Sequence, residues 1–198
     1  MNKKVLFGMF GLAAGSLMAD NAVATFNPYV AVKGGYSILS KKDNVKYKNG
    51  FVGAVEFGVA YDAWRLGLEV AYRNNKIKEG TNDAMRVFVA TYDKINALSA
   101  MVNAYYDYAL TDECSLYLGL GLGAAKVAIN DKAADMEDVS KTVFAWQVMA
   151  GVAYDINENW TVEAGYRLFN TSKVKVANGV KAKMPFASSL ELGLRYNF

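Results

Sequence analysis

The sequence predicts an all-β protein: a closed eight-stranded antiparallel up-and-down transmembrane β-barrel. Three observations carry this expectation. Eight segments alternate apolar and polar residues with a period of two, the mark of a strand with one greasy and one wet side. The connections between them alternate between short and long, as in a meander whose two ends face different compartments. Finally, 53% of residues are hydrophobic and 13% aromatic, yet mean hydropathy is only +0.06. Alternating lipid-facing and lumen-facing residues average to such a value. No run of about 18 apolar residues is present to form a membrane-spanning helix.

The chain opens on Asn2-Lys3-Lys4, a positive start followed by an apolar stretch from Val5 to Met18 and the small-residue site Ala22-Val23-Ala24. This is the pattern of a cleaved export signal. Residues 1–24 are therefore expected to be removed, with a cut after Ala19 as the competing choice, leaving one domain over 25–198.

The first strand runs from about Tyr29 to Ile38, with Val30, Val32, Tyr36 and Ile38 against Ala31, Lys33, Gly35 and Ser37. The second sets Phe51, Val55, Phe57, Val59 and Tyr61 against Ala54, Glu56, Gly58 and Ala60. Asp62-Ala63 then makes a tight hairpin turn into Trp64, Leu66, Leu68, Val70 and Tyr72, which oppose Arg65, Gly67, Glu69, Ala71 and Arg73. The fourth strand places Leu98, Ala100, Val102, Ala104, Tyr106 and Tyr108 against Ser99, Asn103 and Asp107. In the fifth, Leu116, Leu118, Leu120 and Leu122 alternate with Tyr117, Gly119, Gly121 and Gly123. The sixth sets Phe144, Trp146, Val148, Val152 and Tyr154 against Gln147 and Gly151. The seventh sets Trp160, Val162, Tyr166 and Leu168 against Thr161, Glu163, Gly165 and Arg167. The eighth carries Leu190, Leu192, Leu194, Tyr196 and Phe198 on one face, with Ser189, Glu191, Gly193, Arg195 and Asn197 on the other.

Asp62-Ala63, Ala109 to Glu113 and Asp155 to Asn159 read as short turns. Leu39 to Gly50, Asn74 to Asp93, Ala128 to Lys141 and Asn170 to Pro185 read as long polar loops. Within the second loop, Met85, Val87 and Val89 alternate, so the fourth strand is allowed to protrude. An internal echo is visible: Leu68-Glu69-Val70-Ala71-Tyr72-Arg73 recurs as Val162-Glu163-Ala164-Gly165-Tyr166-Arg167, each after a short turn and a Trp. Similar strand environments explain two copies without a solenoid.

The apolar faces named above contain no charged residue. That suits hydrocarbon, where an Arg or Lys at the bilayer centre costs about 2–4 kcal/mol. The opposite face, crowded with Gly and Ala, carries too few charges to solvate the outside of a soluble barrel, so the apolar face is expected to meet lipid. Tyr61, Trp64, Tyr106, Tyr108, Tyr154, Trp160, Tyr196 and Phe198 gather at the short-turn ends, the headgroup level that such rings prefer. The inward set is Lys33, Arg65, Arg73, Arg167 and Arg195 against Glu56, Glu69, Glu163 and Glu191. Near balance of charge predicts mutual pairing, because an unpaired buried charge costs several kcal/mol. A structural plug is favoured over an ion gate. A last hairpin turning about Asn178-Gly179 would oppose Glu163 to Arg195 and Arg167 to Glu191. Outside, it would oppose Trp160 to Phe198 and Tyr166 to Leu192. Glu56 and Glu69 are expected to face each other, with Lys33 as their cation.

The chain has no His, which removes Ser-His-Asp chemistry and the commonest metal ligand; no enzyme activity, cofactor or metal is expected. Gly119 to Gly123 alternates on a strand without a following helix, so it is no phosphate loop. Cys114 is alone, a buried unreactive thiol or small strand residue. A net charge of +3 does not indicate a nucleic-acid partner. Lys41, Lys42, Lys46 and Lys48 mark the first loop and Lys173, Lys175, Lys181 and Lys183 the fourth. Asp131, Asp135, Glu137 and Asp138 make the third acidic. Closure of the barrel is expected to join the first and fourth loops into one basic patch. Its bland partner is the phosphates of surface lipopolysaccharide; its sharper one is an acidic host glycan or matrix ligand.

The leader, the eight strands, the turn asymmetry and the Arg195-Tyr196-Asn197-Phe198 ending resemble the small eight-stranded outer-membrane barrels: the OmpA-type transmembrane domain, OmpX and opacity-type adhesins. The resemblance implies a monomeric protein of the bacterial outer membrane, embedded in lipid, with a role in envelope integrity, adhesion or host interaction. It also implies that Leu190, Leu192, Leu194, Tyr196 and Phe198 form the signal read by the barrel-assembly machinery. Unlike full-length OmpA, the chain is expected to lack a periplasmic peptidoglycan-binding domain. A narrow porin-like channel and, less favoured, a lipid-modifying barrel enzyme stay open as other classes.

Overall fold

In the computed structural model, residues 26–39, 45–47, 50–80, 92–131, 139–172, 174–175, 181–182 and 186–198 are described. The expected export signal, both of its cleavage sites, and Met85, Val87 and Val89 lie outside them. The strands are β1 (Asn27–Leu39), β2 (Val45–Tyr47), β3 (Gly50–Tyr61), β4 (Trp64–Gly80), β5 (Tyr92–Ala109), β6 (Cys114–Asp131), β7 (Val139–Asp155), β8 (Trp160–Thr171), β9 (Val174–Lys175), β10 (Lys181–Ala182) and β11 (Ala187–Asn197). Eight of them, β4-β3-β1-β11-β8-β7-β6-β5, run antiparallel, and a β4–β5 pairing closes the ring. Closure gives each of the eight barrel strands a partner on both sides, which is what allows strands to cross hydrocarbon without orphaned backbone groups. Cys114 is a half-buried free thiol at the start of β6.

The three short turns are held locally. Asp62 takes a left-handed φ of 50°, a conformation that two-residue hairpins demand and that Asp tolerates better than most residues. Thr111 Oγ1 accepts from the backbone N–H of Cys114 at 3.0 Å. Asn157 Oδ1 accepts from those of Asn159 and Trp160 at 3.0 and 2.9 Å. The end of the chain is tied to both neighbours: Asn197 N donates to Asn159 O at 2.7 Å and Phe198 N to Pro28 O at 3.0 Å.

On the loop side the strands outlast their hydropathy pattern. β4 continues to Gly80, β5 begins at Tyr92, β6 reaches Asp131 and β7 starts at Val139, so parts of the expected loops are ladder. The ladder needs only backbone partners, and once clear of lipid its outward positions are free to be polar: Asn74 faces Asn96 and Lys76 faces Lys94. β2, within the first long connection, pairs with the far end of β4, and β9 pairs with β10 in the last one.

The outward face is apolar and open to lipid. Leu118, Leu120, Leu122, Leu190 and Leu192 are each at least 60% exposed, an untenable arrangement in water but the native one in a bilayer. At the turn end the rings touch edge to face, Trp64 on Tyr106 at 5.0 Å, Trp160 on Tyr196 at 4.9 Å and Tyr196 on Phe198 at 5.0 Å. Such contacts contribute about 0.5–1.5 kcal/mol each beyond burial.

Inward positions hold the buried residues. Toward the loops Met101, Ala125, Ala145, Phe169 and Ala187 pack together; toward the turns Tyr105, Tyr117, Met149 and Ala153 do. Inward glycines make the room. A Cβ on Gly119 would stand 2.5 Å from the Tyr105 ring, and one on Gly165 would stand 2.0 Å from the Tyr117 hydroxyl.

Candidate functional site

The lumen is the one place where charge is concentrated under cover. All nine inward charged residues named from the sequence are buried: Lys33, Glu56, Arg65, Glu69, Arg73, Glu163, Arg167, Glu191 and Arg195. They arrive from β1, β3, β4, β8 and β11, each at the inward parity of its strand.

β4 and β8 look at each other across the lumen and exchange charges at two levels. Arg65 donates to Glu163 at 3.0 Å; four residues further along each strand, Arg167 donates to Glu69 through both of its terminal nitrogens, the second at 2.8 Å. The two sequence echoes thus sit on facing strands. Glu163 Oε1 is shared, because Arg195 also reaches it at 2.9 Å. Arg65 completes its fork on Asp107, at 2.6 and 2.8 Å, a bidentate geometry that favours Arg over Lys.

Glu56 and Glu69 are direct cross-strand partners. Lys33 Nζ lies 3.2 Å from Glu56 and 3.7 Å from Glu69, and it donates to the Tyr105 hydroxyl at 3.0 Å. Glu56 further accepts from Tyr29 at 2.9 Å, Asn103 at 2.7 Å and Tyr105 at 2.6 Å. Arg73 follows another rule. It stacks on the Phe169 ring at 4.0 Å and donates to Ser99 at 2.9 Å, closing the loop side of the lumen with a cation–π contact.

The last hairpin corrects the expected register. Glu163 faces Gly193, not Arg195; Arg167 faces Ser189, not Glu191; Trp160 faces Tyr196, not Phe198; and Tyr166 faces Leu190, not Leu192. The offset is two residues. A long connection leaves pairing to the strands themselves, and inside a narrow barrel two long charged side chains directly opposed would compete for one volume. The observed register sets each beside a small residue, Glu163 by Gly193 and Glu191 by Gly165, and the ion pairs form on the diagonal instead. Arg195 meets Glu163 and Arg167 meets Glu191, both at 2.9 Å.

Sequence reasoning gave no role to Asp107, Gln147, Asn103 or the inward tyrosines. Their signal was parity: Tyr29, Tyr105 and Tyr117 occupy the polar-face positions of their strands. The Arg65 guanidinium lies 4.5 Å from the Tyr105 ring centre and 5.6 Å from that of Tyr117. Gln147 bridges by donating to Asn103 at 2.8 Å and Glu69 at 3.2 Å while accepting from Arg167 at 2.9 Å. The space left among Lys33, Tyr105, Tyr117, Met149, Glu163 and Arg167 is about 10 Å³, room for one water at most. Among the described residues no group of His, Cys, Asp and Glu could hold a metal ion.

Of the loop lysines, Lys46 lies in β2 opposite Glu79, and Lys175 of β9 faces Lys181 of β10. Lys41, Lys42, Lys48, Lys173 and Lys183 lie outside the described residues. Leu190, Leu192, Leu194 and Phe198 are exposed on the outward face, and Tyr196 is half-buried among the turn-end rings.

Known proteins agree with this architecture. The chain is 26% identical over 146 residues to the outer membrane protein PagN of Salmonella typhimurium, covering 66% of this chain and 61% of that protein's length. The crystal structure of Neisserial surface protein A superposes with a TM-score of 0.65 at 22% identity, over 86% of this chain and 97% of that one. Ail, the attachment invasion locus protein of Yersinia pestis, solved with the heparin analogue sucrose octasulfate, gives a TM-score of 0.51 at 15% identity, over 87% and 97%. The model of the outer membrane protein beta-barrel domain matches residues 8–198. With ion pairs crossing its lumen and its leucines turned to lipid, the chain belongs to the outer membrane protein beta-barrel domain family and resides in the outer membrane.

Proposed function

We propose that this barrel is a surface protein of the adhesion or host-interaction type, a non-catalytic anchor whose long loops meet an acidic partner. The observation that carries the proposal is the ion-paired lumen. Glu56, Glu69, Asp107, Glu163 and Glu191 are each held by a neighbouring cation, and the space beside Glu163 and Glu191 has room for a single water. Among the described residues each of these lumen carboxylates has a cation partner, which supports placing function on the loops. Four lysines and no acid in the span from Asn170 to Pro185 suit sulfated or carboxylated glycans, where screened electrostatic contacts add over many charges. The heparin analogue held by Ail supports the same partner class. Outer-membrane lipid and lipopolysaccharide surround the barrel in this proposal, the outward face of β11 serves as the signal to the assembly machinery, and the protein acts as a monomer.

Retention of refolded protein on immobilised heparin tests the proposal. The variant with Lys173, Lys175, Lys181 and Lys183 all changed to Glu is expected to elute at much lower salt. Unchanged elution removes the glycan partner. Steady single-channel conductance in a planar bilayer would instead establish the porin-like alternative.

A further inference from the structure

The outward surface is uncharged almost everywhere. Reading the eight barrel strands from the turns toward the loops, Lys126 is the first charged residue at an outward position among the described residues, with Lys76 and Lys94 following two rows further out. It is exposed, and no described residue forms an ion pair with it.

Its place in the ladder is defined on both sides. Lys126 lies between Leu98 of β5 and Thr142 of β7, and Leu98 in turn faces Tyr72 of β4. The next row toward the turns is Val70, Ala100, Ala124 and Phe144, wholly apolar. The next row toward the loops begins with Asn74 and Asn96, whose side chains bond to each other at 2.8 Å. Polarity therefore sets in at one level across neighbouring strands.

That level can be located. Ten residues separate Leu116, at the turn end of β6, from Lys126. At about 3.3 Å per residue and a tilt of about 40°, they rise about 25 Å, the height of the apolar band of a membrane barrel. The Lys126 ammonium stands where hydrocarbon gives way to headgroups on the loop side. Its stem can lie on the apolar wall while its charge stays at the boundary, and the exposed Thr142 hydroxyl on the next strand supplies a second donor.

We infer that Lys126 and Thr142 form a lipid site on the outer wall of the barrel, binding a phosphate of a phosphorylated headgroup in the outer leaflet. The site is separate from the loop lysines and does not depend on any glycan partner.

Native mass spectrometry of the refolded protein in a non-ionic detergent, titrated with bisphosphorylated lipid A, tests the inference. Lys126→Gln is expected to weaken binding about tenfold, the loss of one charge-assisted contact, and Lys126→Arg to retain most of it. Dephosphorylated lipid A should bind wild type and Lys126→Gln alike, and inorganic phosphate should not compete. Equal binding of bisphosphorylated lipid A by wild type and Lys126→Gln overturns the site, as does an equal loss with the dephosphorylated lipid. Competition by inorganic phosphate overturns its assignment to a lipid. The heat-dependent gel mobility of a folded barrel verifies each variant before binding is read.

Discussion

The outer and inner faces of this barrel are built from the same strands, yet they follow opposite rules. Outside, most side chains answer to the surrounding lipid: at mid-depth one apolar residue can stand in for another, since hydrocarbon has no shape to match, and rings touch one another at the turn end. Inside, each side chain answers to particular partners. Glu69 requires Arg167, Gln147 and Lys33 at once, and Gly119 must be bare for the Tyr105 ring to lie where it does. A barrel of eight strands has only enough interior for its own side chains. Its lumen is therefore a packed polar core, and its exterior is a coat.

The largest expected effect comes from breaking the inner rule. Glu69→Ala leaves Arg167 and Lys33 buried without a shared carboxylate, and removing one partner of a buried pair costs about 3–5 kcal/mol. Urea unfolding of the reconstituted protein should show that loss, while Glu69→Gln, which keeps an acceptor for Arg167, should lose less. Breaking the outer rule comes next. Leu120→Arg, at mid-depth, is expected to cost about 2–4 kcal/mol in the same assay. Smallest is a steric probe of the inner face: Gly119→Ala pushes a methyl against a ring fixed through its hydroxyl by Glu56 and Lys33, and overpacking of this kind costs about 1–3 kcal/mol. An outward Gly34→Ala, whose added carbon meets nothing within 4 Å, should leave the unfolding midpoint in place and so sharpen the contrast.

The two faces were also unequally legible. Leu116 to Leu122 announce their orientation by parity, and the rings at Tyr61, Trp64, Trp160 and Phe198 announce the membrane level. In the lumen, parity gave the members, and the expected meetings of Glu163 with Arg195, Arg167 with Glu191 and Lys33 with Glu56 and Glu69 occur, though the first two lie on the diagonal and not face to face. The pairing of Glu56 with Glu69 follows from a two-residue turn, which leaves one register available. The pairing of β8 with β11 does not, and the expected Asn178-Gly179 turn placed it two residues away from where the strands meet. Asp107 was visible as an inward residue, but its fork with Arg65 joins β5 to β4 at positions far apart in sequence.

From the sequence alone came the number of strands, the face each residue presents and the end at which the aromatics gather, because a strand's period of two converts position directly into orientation. The tertiary structure alone decided which charges meet across the lumen, Arg65 with Glu163 and Arg167 with Glu69. Closing the cylinder brings β4 against β8 across the lumen, at sequence separations of 98, and between β8 and β11 the glycines opposite Glu163 and Glu191 leave room for those charges to reach along the diagonal.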